Sequence, residues 1–121
     1  MKVLVYCLQP TRDITKRDIE NVSLDFDLLE RIVPKNLWIK VHENFPKILF
    51  QNKEDYLISK LLGILRKIYV DFLEDEEDCV IVHHIVYEYV DKFYTAVFEI
   101  AIIVLCEIFD YKLVARSYIF I

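Results

Sequence analysis

His83 and His84 stand side by side, and a metal site is the chemistry that paired imidazoles raise first. Adjacent residues diverge by about 100° on a helix and point to opposite faces on a strand, so the two do not easily share one ion. On a helix, Cys79 with His83 and His84 with Glu88 are each four residues apart, and either pair would supply two ligands. Zinc or a di-iron centre needs further ligands from a second element. His42 and Glu43 are the distant candidates, and no spacing ties them to the pair. No metal is therefore expected. His83 reads as a core residue and His84 as part of a polar stripe.

Nucleophilic chemistry has as little to stand on. A reactive thiol needs a neighbouring base and an electropositive setting. Cys106 lies in the most apolar segment, where burial raises its pKa, and Cys79 follows the acids Glu74 to Asp78. Cys7 alone is unconstrained. Ser23, Ser59 and Ser117 lack the strand-turn-helix context of a nucleophile elbow. The acidic run lacks the alternating carboxylates and central glycine of a calcium loop, so it reads as a solvated link. No catalytic residue is assigned, no cofactor is expected, and the chain is not expected to be an enzyme. The aromatics remain: eight Phe, eight Tyr and Trp38. They either fill an ordinary core or supply rigid anchors for a partner, as aromatics do at interfaces.

The elements that must position these residues are best defined in the middle of the chain. Leu57, Leu61, Ile64, Leu65, Ile68 and Phe72 share one face of a helix over Glu54–Leu73, with Lys60, Lys67, Asp71 and Glu74 opposite and Asn52 as its cap. Gly63 lies inside this helix at a cost of about 1 kcal/mol relative to alanine. It marks either a weak spot or the close approach of another helix. Thr11 and Thr15 are candidate caps for a polar segment to Asn21, and Ser23 for a helix carrying Leu24, Leu28, Leu29 and Ile32. Pro34 ends that helix and opens the next, which turns Leu37, Trp38 and Val41 inward and runs to Asn44 before Pro46. Cys79–Tyr111 has neither glycine nor proline. As one helix it would be about 50 Å long, so a break is expected near Asp91–Thr95 or after Glu107. Ile100–Cys106 is apolar all round and reads as a buried helix.

One glycine in 121 residues favours helices over a hairpin-rich sheet and excludes glycine-rich phosphate loops. The expected fold is therefore all-α, a single domain over 1–121 with short amphipathic helices around a central hydrophobic one. The alternative is α+β: Val3–Leu8 and Leu113–Ile121 could pair as terminal strands, and Cys79–Val90 is rich in strand-forming residues. A net charge of -5 argues against a nucleic-acid partner, for which Lys60, Arg66 and Lys67 are the best local basic face. No integral membrane segment is expected, because the most apolar run is fenced by Glu99 and Glu107. Three cysteines without framework spacing fit a reducing, cytoplasmic setting.

Over Leu24–Tyr111, the order of short helices broken at Pro34 and Pro46, an amphipathic helix, an acidic link and an apolar segment around Phe98–Cys106 resembles the Bcl family of apoptosis regulators, most of all its short, divergent viral members. The resemblance implies a viral protein in the host cytoplasm. It would inhibit host apoptosis by holding the death-motif helix of a pro-apoptotic protein in a hydrophobic groove. The alternatives are a helical adaptor or homodimer of unrelated fold and, behind it, a small enzyme or metal-binding protein. The residues expected to meet a partner are Trp38, Phe45, Leu49, Arg66 and Tyr69.

Overall fold

The structure, a computed structural model, describes residues 2–11, 14–47, 52–74, 80–86 and 92–120, with the backbone alone described for 70–74 and 80–86. Among the described residues eight elements follow one another: β1 (Lys2–Gln9), α1 (Lys16–Glu20), α2 (Phe26–Ile32), α3 (Lys35–Glu43), α4 (Lys53–Glu74), β2 (Val80–Val86), α5 (Lys92–Glu107) and β3 (Lys112–Phe120). The fold is mixed α+β, which corrects the all-α expectation. Its sheet has three strands in the order β2-β1-β3, with β1 antiparallel to both neighbours.

The correction has a physical cause. Scarce glycine excludes tight hairpins, which need positive φ in their turns. This sheet has no hairpin among its described pairings, because helices separate every pair of bonded strands in sequence. The β-branched and aromatic runs could then form strands without glycine. The terminal strands pair as the α+β alternative has it, from Lys2 opposite Phe120 to Gln9 opposite Lys112. Where a positive φ is required, after α5, Asp110 supplies it at 59°. Aspartate tolerates that region better than most residues. The Tyr111 N–H then returns to the Leu105 carbonyl at 3.0 Å, and Thr11, expected as a helix cap, instead donates its hydroxyl to the Asp110 carbonyl.

The helical segments start where side chains can satisfy their first N–H groups. Thr15 and Asp18 form a reciprocal box at 3.2 and 2.9 Å in α1. Asp25, rather than Ser23, caps α2 by accepting from the Leu28 N–H at 2.8 Å. Asn52 caps α4 by accepting from the Glu54 and Asp55 N–H groups at 3.0 and 3.3 Å. The apolar stripe of α4 is buried from Leu57 to Ile68. Gly63 faces open space, with nothing within 4 Å of where a Cβ would stand, so no helix approaches it closely.

Cys79–Tyr111 is interrupted twice. Residues 80–86 form β2, α5 begins at Lys92, and α5 ends at Glu107, one of the two expected break points. β2 and β3 are both antiparallel to β1 and hence parallel to each other, and α5 connects them across β1. The core therefore lies where α5 meets the sheet and the other helices. Val97, Ile100, Ala101 and Val104 of α5 are wholly buried, alongside Leu8, Leu29, Leu61 and Leu65. Burial of each aliphatic side chain of leucine size contributes about 1.5–3 kcal/mol.

Candidate interaction edge

β1 alternates as a strand with one face against helices should. Leu4, Tyr6 and Leu8 are buried, and Val5 and Cys7 between them are half-buried. Phe98 of α5 lies with its ring centroid 6.1 Å from that of Tyr6. β3 differs in kind, for it lies at the edge of the sheet and every residue from Lys112 to Phe120 is exposed. Leu113, Val114, Tyr118 and Ile119 are 42–51% exposed and Phe120 is 78% exposed. An edge strand leaves half of its backbone N–H and C=O groups unpaired by the sheet, and apolar side chains beside them invite another strand.

Arg116 fixes the middle of this edge. Its guanidinium lies 5.8 Å from the Tyr6 ring and 5.4 Å from the Tyr118 ring. It donates to the Tyr118 hydroxyl at 3.2 Å and pairs with the Glu99 carboxylate of α5 at 3.5 Å. Burial works against its charge, but Tyr6, Tyr118 and Glu99 outweigh burial and raise its pKa. On the other side, Lys2 Nζ sits 4.1 Å from the centroid of the Tyr118 ring. The Tyr6 hydroxyl is buried and has no hydrogen bond of ordinary geometry among the described residues. Burial chiefly, and then the Glu99 charge, push its pKa up to about 12 despite the opposing effect of Arg116. A bulge between Cys7 and Leu8 in the β1–β3 register leaves Val114 as the extra residue of β3.

The residues expected to form a partner face are not gathered into one groove by the described contacts. Trp38 is half-buried on α3, in edge contact with Phe26 at 5.4 Å and His42 at 5.1 Å. Phe45 belongs to a second cluster, 5.7 Å from Tyr56 and 5.0 Å from Phe93, with Lys53 5.5 Å from its centroid. Arg66 is exposed and Tyr69 half-buried on α4, and Leu49 lies outside the described residues. A shallow hollow of ≈ 320 Å³ opens between α4 and α5, lined by Ser59, Lys60, Gly63, Ile64 and Tyr94.

His83 and His84 occupy consecutive positions of β2, opposite Val5 and Leu4. The four-residue helical spacing that would link them to Cys79 and Glu88 does not apply in a strand, and those two residues lie outside the described ones. Among the described residues, no group of three or more His, Cys, Asp or Glu side chains could hold a metal ion. The Cys106 thiol has its pKa raised, chiefly by burial and then by Glu107. Among the described residues, no helix is long and apolar enough to cross a membrane.

The edge was accessible to sequence reasoning in part. The pairing of the two ends was legible as an alternative, but which strand would be outermost was not. The signal in Lys112–Phe120 is the presence of apolar residues at both alternating sets of positions, Leu113, Ile119 and Val114, Phe120, with only Lys112 and Arg116 charged. No protein family, curated protein or solved structure is matched by this chain.

Proposed function

We propose that this chain is an interaction protein that docks other polypeptide through the outer edge of β3. The observation that carries the reading is a nine-residue edge strand in which every residue is exposed, Leu113, Val114, Tyr118, Ile119 and Phe120 among them. Strand addition uses the free backbone groups of such an edge for affinity and alternate side chains for specificity. The reading belongs with the adaptor or homodimer of unrelated fold. The apoptosis reading rests on an order of helices over Leu24–Tyr111, and residues 80–86 of that span form a strand. A death-motif groove is therefore the alternative against which the edge is tested.

The test is to select ten-residue peptides from a random library against the intact, isotopically labelled chain. A death-motif helix peptide is titrated in parallel, and both are mapped by amide exchange. Peptides that protect the amides of Lys112–Phe120 are expected. Binding that leaves β3 unprotected and instead shifts the residues around Trp38, Phe45, Arg66 and Tyr69 would overturn the reading in favour of a helix groove.

A further inference from the structure

Resting on the edge reading, the geometry points to a second copy of this chain as the occupant, paired β3 to β3 around a two-fold axis at Ser117. Self-pairing of antiparallel strands closes as an isologous dimer, with the same edge on both partners. Residues directly opposite in such a pair share a face, so the axis must pass between two copies of one residue, and each choice sets every other pair. An axis at Arg116 opposes two guanidiniums, and one at Val114 opposes Lys112 to Arg116. Like charges directly opposite are destabilising. An axis at Ala115 avoids this but sets Ile119 and Phe120 against Tyr111 and Asp110, which precede the strand, although Phe120 at 78% exposure is the most exposed large apolar residue described. An axis at Tyr118 or beyond shortens the paired stretch to 116–120 or less.

The axis at Ser117 has none of these faults. It pairs residues 115–119 of each copy in regular register, with Ala115 opposite the second copy's Ile119, and sets Phe120 beside the second copy's bulge at Val114. Arg116 stands opposite its Tyr118, the same side-chain combination that already packs within one chain at 5.4 Å. Lys112 falls outside the paired stretch, and the two Arg116 side chains meet only diagonally, about 7–8 Å apart, each paired with Glu99 of its own chain. Serine at the axis is small and uncharged, and it sits opposite Val5 of its own sheet. A strand edge lies at the low end of interface sizes, so a reversible monomer–dimer equilibrium is expected.

The experiment is sedimentation velocity of the intact chain from low to several hundred micromolar, with Ser117→Lys and Ser117→Cys beside it. A monomer–dimer equilibrium is expected. Ser117→Lys, which opposes two ammonium groups at the axis, should weaken it at least ten-fold while leaving the circular dichroism spectrum unchanged. Under mild oxidation Ser117→Cys should form a disulfide-linked dimer, because opposed residues in an antiparallel pair bring Cβ atoms within about 5.5 Å. Ile119→Cys should not, because its two copies would be offset by about 13 Å along the strands, and the wild-type chain controls for the native thiols. A chain monomeric throughout overturns the second copy as occupant. So does a dimer indifferent to Ser117→Lys that gives no Ser117→Cys cross-link, since it uses another face. In either case, library peptides that still protect β3 amides would leave the edge reading standing, and their failure to do so would remove both.

Discussion

Tyr6 carries a buried hydroxyl with no hydrogen bond of ordinary geometry among the described residues, which gives it two measurable consequences. Its pKa stands at about 12 against an ordinary 10.0. The unfolded chain therefore loses this proton at lower pH than the folded chain does. Where the unfolded state binds fewer protons, stability falls as pH rises. The contribution of Tyr6 is fully present below pH 10 and is lost as pH climbs toward 12. Urea titrations across that window should show the decline, and Tyr6→Phe should lessen it. At neutral pH, Tyr6→Phe should change stability by no more than about 1 kcal/mol, because the buried hydroxyl has no hydrogen bond of ordinary geometry to lose and only the Arg116 charge near it. A loss above 2 kcal/mol would mean that the hydroxyl has a partner. Gly63 offers the opposite kind of test. Its φ is not positive and a Cβ would meet nothing within 4 Å. Gly63→Ala should therefore stabilise by about 1 kcal/mol through helix propensity alone, read as a rise in Tm of roughly 3–5 °C.

At the scale of elements, α1 spans Lys16–Glu20 and depends on its cap more than its length. Isolated helices this short are marginal in water. The reciprocal Thr15–Asp18 bonds satisfy donors that the first turn leaves open. Thr15→Ala should cost about 1 kcal/mol by denaturant unfolding, whereas Ser23→Ala, outside the α2 cap, should cost little. The same contrast shows what was legible in the sequence. α4 was, because Leu57, Leu61, Ile64, Leu65 and Ile68 repeat at helical period over several turns and the pattern depends on no other part of the chain. The restart of α3 after Pro34 was legible for the same local reason. β2 was not, because Val80–Val86 reads as a strand or as a buried helix by composition, and its pairing with β1 is non-local. The scarcity of glycine misled in the same way: it constrains turns, and this topology replaces hairpin turns with helices. For Trp38, Phe45 and Arg66 no periodic pattern in the sequence ties one to another, and the exposure of β3 depends on which strand lies outermost.

At the scale of the whole molecule, α5 is the element on which the others converge. It packs against α2, α3, α4 and β2, meets β1 through Phe98 and Tyr6, and meets β3 through Glu99 and Arg116. A chain organised around one such helix should unfold as a unit, because α5 bridges the sheet and the α2–α3 segment. The single tryptophan makes this testable, for Trp38 lies on α3, in contact with Phe26 of α2 and His42 of its own helix. Urea transitions followed by Trp38 fluorescence and by far-ultraviolet circular dichroism should coincide, which is the mark of two-state behaviour. Ile100, 0% exposed, should then matter equally to both signals. Ile100→Ala leaves a cavity and should cost about 2–5 kcal/mol, a large share of the roughly 5–15 kcal/mol available to a domain. Both midpoints should fall together. A fluorescence midpoint that stayed in place while the dichroism midpoint fell would mean that α2 and α3 hold together without α5, and that the core is two cores rather than one.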